Sequence, residues 1–336
     1  MTDHVTLAMG GGGKQTNELI GEIFKKNLNN KFFTADDAAV LPQPKGRIAM
    51  STDGFIVRPA FFPGGNVGEL SVCGTVNDLT CMGARPLYLT CSYVIEEGYP
   101  IADLRRIVEA MADTARKCGV AIVAGDTKVA EKGHVDGCFI TTAGVGEILD
   151  GIETSGKFAA DGDAVIVTGD IGRHGTAIAL ARNDFGIEAD VTSDCAPLWY
   201  PIEAALKAAP DIHVIRDATR GGVGTVLYEI CHESGVGINI FREKVPVLPQ
   251  VQGVCDMLGF DPMNLACEGR MVIMVPQDEA DSVVEALQGF EDTKGACVIG
   301  NVSREADRTG HVIVKTSIGT ETYLPEASNE LLPRIC

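Results

Sequence analysis

The strongest constraint on this chain is an alternation of strand-like and helix-like segments, stopped at most joints by glycine. It predicts a mixed α/β (α+β) architecture. Residues 47–52 (RIAMST) read as a strand running into Asp53-Gly54. Ile101, Leu104, Ile107, Val108, Met111 and Ala115 recur at helical spacing, and Gly119 is placed to end that helix. VAIVAG follows as a short buried strand, ending in a turn at Gly125-Asp126-Thr127, and residues 138–146 form another strand. A second cycle starts past the polar stretch 150–163, where a domain boundary is expected. AVIVTG (164–169) reads as a strand, the glycine-spaced turn 169–175 leads into a helix, and Val223, Val226, Leu227 and Ile230 mark one face of another. RMVIMVP (270–276) is a strand and DSVVEALQG (281–289) a helix with a glycine stop. The expected division is 1–150, 151–320 and a mobile tail, 321–336; 336 residues suit about two domains of ~150.

Charge narrows the partners. Lys and Arg number 28 against 46 Asp and Glu, a net charge of −18, so the overall field opposes nucleic acid and anionic membranes. An anionic ligand would need a local device: glycine-rich backbone, a helix N-terminus or a metal ion. Residues 1–20 lack an apolar signal core, and no apolar run nears the ~18 residues of a membrane helix. Eleven cysteines contain no C-x-x-C pair. The expectation is a reducing, cytoplasmic setting in which ten thiols pack as small hydrophobes.

The chemistry-bearing residues are scattered. Gly10–Lys14 (GGGGK) fails the P-loop pattern, since Ala stands at position 8 and Gln at 15. It is either a flexible stretch or a segment that orders over phosphates. Asp36-Asp37, Asp53, Asp78 and Asp126 stand at ends of expected elements, where aspartates commonly cap or turn. Asp78 is different, because it lies with Asn77 on an otherwise apolar helix, 67–82. A carboxylate there needs a partner or a cation, and several carboxylates converging on one site would hold Mg²⁺ with substrate phosphates. Asp217–Gly224 (DATRGGVG) opens a helix with exposed N–H groups beside Arg220, and 169–175 enters its helix in the same way; together the two turns suit phosphate. Lys128 and His134 follow the Asp126 turn and could simply be solvated. Glu268, before a buried strand, could be a surface turn residue. Cys336 ends the chain on a proline-stiffened tail whose twelve residues could reach ~40 Å; it is either incidental or a working thiol.

Ser51–Gly54 (STDG), Asn77–Gly83 (NDLTCMG), Gly125–Lys128 (GDTK), Gly169–Gly175, Arg216–Gly222 (RDATRGG) and the ending Pro333–Cys336 (PRIC) together resemble the HypE hydrogenase maturation factors, over essentially the whole chain. These belong to the superfamily of aminoimidazole ribonucleotide synthetase, selenophosphate synthetase and thiamine-monophosphate kinase. The resemblance implies a two-domain aminoimidazole ribonucleotide synthetase-like fold whose N-terminal sheets pair in a homodimer. ATP and Mg²⁺ would bind near that interface, with Asp37, Asp53, Asp78 and Asp126 as metal ligands. Asn77, Gly125, Thr127, Arg220, Gly221 and Gly222 would contact the nucleotide. HypF would load a carbamoyl group onto Cys336, and ATP-dependent dehydration would turn the S-carboxamide into an S-thiocyanate. The cyano group would pass to iron on a HypC–HypD scaffold. Glu268 is the first choice of base, with Lys128 and His134 beside it. The glycines at 10–13 lack the reactive cysteine of selenophosphate synthetases, which argues against that relative. The competing readings are another ATP-dependent enzyme acting on a free small molecule, and a non-catalytic scaffold whose tail docks into partners.

Overall fold

Helix α3 (Val67–Cys81) organises the molecule, because all of its residues except Glu69 and Asp78 are buried. A helix apolar all round has no solvent face and must lie between two bodies. The structure is a computed structural model and describes every residue except 1, 33, 35, 184, 328–331 and 333. On one side of α3 is a four-stranded sheet in the order β1-β6-β4-β5. It comprises β1 (Ile48–Phe55), β4 (Ala84–Glu96), β5 (Ala121–Ala130) and β6 (Cys138–Ile148), with a minimal hairpin of β2 (Phe61–Phe62) and β3 (Gly65–Asn66) leading into α3. Asn66 caps α3 by accepting hydrogen bonds from the Gly68 and Glu69 N–H groups. Helix α4 (Ile101–Cys118) covers the same face and ends on left-handed Gly119, as the periodicity predicts. The N-terminal segment forms α1 (Lys14–Leu19), a π-helical stretch (Ile20–Lys25) and α2 (Lys26–Leu28).

The other body is a seven-stranded sheet in the order β13-β12-β9-β11-β7-β10-β8. Its strands are β7 (Ala164–Val167), β8 (Val214–Asp217), β9 (Gly237–Phe241), β10 (Met271–Val275), β11 (Cys297–Ser303), β12 (Val312–Lys315) and β13 (Glu321–Tyr323). Every residue of β7 and β10 is buried, as central strands covered on both faces require. The covering helices are α5 (Arg173–Arg182), α6 (Trp199–Ala208), α7 (Gly222–Ser234), α8 (Pro249–Leu258) and α9 (Ala280–Gln288). Eight of the ten non-terminal cysteines are buried as packing residues.

Three expectations change. Gly125-Asp126-Thr127 is no turn: β5 runs on through Ala130, paired parallel to β4 with Gly125 opposite Cys91 and Asp126 opposite Ser92. Residues 321–323 are not tail but strand β13 on β12, and Leu324 is buried behind them with its N–H on the Val312 carbonyl. The turn 169–175 is not an open anion cradle. Asp170 already occupies the start of α5, paired with Arg173 at 2.9 Å and Arg270 at 2.9 Å.

The approach of α3 to α4 requires glycine. A Cβ on Gly68 would stand 2.0 Å from the Ile107 carbonyl oxygen. Gly68→Ala is expected to push the helices apart and cost about 1–3 kcal/mol, read as a lower urea midpoint; an unchanged midpoint would show that the contact yields freely.

Candidate active site at the domain seam

The C-terminal turns of α3 carry Asn77 and Asp78 to the seam between the two sheets. Asn77 is buried and holds both bodies together: its amide donates to the Ala196 carbonyl at 3.0 Å and the Glu268 carbonyl at 3.3 Å, and its oxygen accepts from Leu198 N–H at 2.9 Å. Asp78 accepts a 2.5 Å bond from the Ser51 hydroxyl of β1. Asp53, two residues along the same strand face, looks into the same seam; a Cβ on Gly74 of α3 would lie 3.5 Å from its carboxylate. Asp217, the last residue of β8, faces them, and Arg220 follows at the entrance to α7. Gly221 and Gly222 there have φ of +74° and +63°, and a Cβ on Gly222 would come 2.5 Å from the Leu265 carbonyl. Only glycine fits that turn.

Burial sets the electrostatics. Asp53, Asp78 and Asp217 are all raised above ordinary carboxylate values, first by desolvation; Asp217 reaches about 7. Their mutual repulsion adds to this, while Arg220 near Asp53 and Arg216 near Asp78 and Asp217 oppose it. Glu268 is 2% exposed and raised well above the glutamate range by burial, then by Asp217, Asp194, Asp53 and Asp78. One of its carboxylate oxygens is buried without a hydrogen bond. It is therefore a buried acid rather than a surface turn residue, with an unused proton site.

The aspartates expected to converge do not all meet within one chain. Asp53 and Asp78 do, joined by Asp217, which was not among those expected. Asp126 lies on β5, at the opposite edge of the four-stranded sheet from β1, about 14 Å away at ~4.8 Å per strand. It is exposed and pairs with Lys128 at 2.8 Å. Asp37 is exposed on an irregular segment. His134 lies exposed in the loop after β5, 3.8 Å from Glu131. Among the described residues, no three His, Cys, Asp or Glu side chains gather tightly enough to hold a metal alone. The seam acids nevertheless fit Mg²⁺ shared with a phosphate, since that ion commonly takes one or two carboxylates with phosphate oxygens and water. Their crowded charge is what such an ion would relieve.

Beneath β5 is a cavity of roughly 220 Å³. Gly10, Gly12 and Thr16 wall it on one side and Gly125, Asp126 and Lys128 on the other, with Ile20 and Phe24 inside. Of the N-terminal glycines, Gly10 is packed on β5, where a Cβ would sit 2.8 Å from Val129 N, while Gly11, Gly12 and Gly13 are exposed.

The C-terminus is docked. Ile56 N–H donates to a terminal carboxylate oxygen of Cys336 at 3.0 Å and Arg58 N–H to the Arg334 carbonyl at 3.2 Å, so the end of the chain is tied to the backbone that leaves β1. Leu332 and Ile335 are buried, and Cys336 is half-buried against the N-terminal core. Arg334 pairs with Asp136 at 2.5 Å, in the loop that carries His134, and Arg182 donates to the Arg334 carbonyl at 2.7 Å. Buried His174 reaches the Ile335 carbonyl at 2.8 Å. Pro333 of the PRIC ending lies outside the described residues, as do 328–331.

Comparison with known proteins places this site in a class. Residues 35–148 match the N-terminal domain of AIR synthase related proteins and residues 160–313 the C-terminal domain. The carbamoyl dehydratase HypE of Azotobacter vinelandii is 42% identical over 333 residues, covering 99% of this chain and 97% of that protein. A crystal structure of hydrogenase maturation protein HypE in complex with ATP superposes with a TM-score of 0.94 at 41% identity, covering 98% of this chain and 99% of that one. The HypE chain of a HypE–HypF complex superposes at 0.81 with 44% identity, covering 92% and 99%. The chain is thus an AIR synthase related protein, and within that class it belongs to the HypE family.

Asp217 was visible in the sequence only as part of a glycine-rich turn, although its position at the end of a short apolar strand was a usable signal. Its raised carboxyl gives a pH signature. The native chain keeps a proton that the unfolded chain loses above about pH 4, so stability falls as pH rises toward about 7 and levels beyond. At about 1.4 kcal/mol per unit the fall is bounded near about 4 kcal/mol. Urea midpoints at pH 5 and pH 8 without divalent cations should differ in the native chain and differ by less in Asp217→Asn; an equal pH dependence in both would contradict the seam electrostatics.

Proposed function

We propose that this chain is an ATP-dependent carbamoyl dehydratase of hydrogenase maturation, converting an S-carboxamide on Cys336 into an S-thiocyanate destined to become the cyanide ligand of the [NiFe]-hydrogenase iron. The single observation that carries this is the docked C-terminus: the Cys336 carboxylate accepts from Ile56 N–H, one residue past β1, the strand that carries Asp53 into the acidic seam. A terminal thiol held there is a carrier delivered to a site.

Mg²⁺-ATP would supply the phosphoryl group that makes the carboxamide oxygen a phosphate leaving group, and the charge to steady its transfer. The residues do the rest. Asp53, Asp78 and Asp217 would hold the metal side, while Arg220 and the Gly221 N–H at the entrance to α7 would take phosphate oxygens; the Gly222 N–H is already donated to the Thr219 carbonyl at 3.0 Å. Asn77 keeps the two bodies in register. Nitrile formation breaks the C–O bond and removes both protons from the nitrogen, so a base must stand within hydrogen-bond reach. Glu268, with its unpartnered oxygen, takes that part. The docked tail and the buried His174 would shut water out from behind.

The outward face of the four-stranded sheet supports a homodimer. Ile48 and Met50 on β1 and Ile56 just past it are large apolar side chains left 60%, 73% and 40% exposed. Pairing two such faces would cover them. Gly125, Asp126, Thr127 and Lys128, with Asp37 and His134, would then complete the nucleotide site from across the interface, and the cavity under β5 would take the base. A structure named for a HypE–HypF complex superposes on this chain, which supports HypF as the carbamoyl donor; the cyano group would then pass to a HypC–HypD scaffold in the cytoplasm. Among the described residues no helix is long and apolar enough to cross a membrane.

With protein loaded at Cys336, Glu268→Gln should slow ATP-driven nitrile formation by about 10²–10⁴-fold, the usual range for a lost general base, while loading proceeds. Cys336→Ser should accept no cargo. Nitrile formation at the native rate in Glu268→Gln would remove the base from this scheme, and turnover in Cys336→Ser on a free amide would favour an enzyme of small molecules.

A further inference from the structure

The segment Ser193-Asp194-Cys195 reaches the docked tail with one residue, by way of His174, and the Glu268 backbone with the next. His174 is buried and its pKa lowered by that burial, so the ring is neutral. The Ile335 carbonyl only accepts, so Nε2–H donates to it at 2.8 Å. Nδ1 is then the acceptor for the Ser193 hydroxyl, also 2.8 Å away. The Ser193 oxygen in turn accepts from Cys195 N–H at 3.0 Å, and Ser193 N–H is tied to the Pro63 carbonyl at 2.8 Å. Between these bonds, the side chain of Asp194 is wholly buried and points the other way. Its Oδ1 accepts from Glu268 N–H at 3.1 Å. Its Oδ2 has no hydrogen bond and lies 3.8 Å from Nε of Arg270, which Asp170 holds in place. A Cβ on Gly269 would fall 1.9 Å from the Asp194 carbonyl oxygen. Asp194 on the N–H, Asn77 on the carbonyl and the closely packed Gly269 therefore hold the Glu268 backbone from three directions.

We propose that Asp194 is a positioning residue for the dehydration: it aims Glu268 through the backbone, and through Ser193 and His174 it ties that aim to the docked tail. This rests on the reading of Glu268 as the base. Asp194 touches neither cargo nor nucleotide, and its role is to keep the Glu268 carboxylate within reach only when the terminus is home. Misplacing a base by about 1 Å commonly costs about 10²-fold.

The test uses full-length protein loaded at Cys336 and followed through a single turnover at varied ATP. Asp194→Ala should lower the maximal rate at least about tenfold while half-saturation by ATP stays within about twofold. Asp194→Asn keeps an acceptor for Glu268 N–H and should recover to within about threefold of native. Ser193→Ala, which cuts the link to His174 and leaves the acid in place, should also lower the maximal rate without moving half-saturation. If Asp194→Ala does not fold, the Asn and Ser193 variants decide. A native rate in Asp194→Ala or Ser193→Ala, or an Asn variant that recovers nothing, overturns the proposal. Failure of native protein to convert its cargo would instead defeat the functional reading itself.

Discussion

The molecule depends on carboxylates being held at a buried seam between two sheets. Desolvation makes Asp53, Asp78, Asp217 and Glu268 reluctant to ionise, and each makes the next more so. Such a cluster is unstable as a packing solution, because a buried charge without a counter-charge costs several kcal/mol. It is sensible as a place that receives a cation, a phosphate and a proton. Helix α3 makes the seam possible by being buried on every side, so that Asn77 can stitch both bodies while Asp78 stays in the gap.

The terminus belongs to the same construction. Its backbone bonds to Ile56 and Arg58, the Arg334–Asp136 ion pair and the His174 contact are all reversible, polar and small. Exposed ion pairs of this kind contribute about 0–1 kcal/mol, so docking leans on burial of Leu332 and Ile335. A carrier must leave as well as arrive, and a dock built from two apolar side chains and a few backbone bonds suits an equilibrium that partner proteins can shift.

What could be read in the sequence follows local physics. The helix ending at Gly119 was legible because period and cap agree, and Asp78 stood out because a carboxylate on an apolar helix has few explanations. The family was legible from its motifs, above all the PRIC ending. What failed was tertiary. Asp126 read as a turn because Gly-Asp usually is one, yet parallel pairing with β4 carries the strand straight through it. The turn at 169–175 looked open to phosphate because nothing local reveals that Asp170 turns inward to Arg270. Asp194 carried no local signal at all, since its meaning lies in bonds to residues 74 positions away.

Intact mass of the native protein, taken after incubation with the carbamoyl donor system and again after ATP, bears most directly on the idea that Cys336 is the carrier. A gain of about 43 Da followed by a loss of about 18 Da, both mapping to the C-terminal peptide, is the expected result for loading and dehydration at a nucleophilic thiol. A loaded terminus whose mass ATP leaves unchanged, or a gain that maps to any other cysteine, would contradict it.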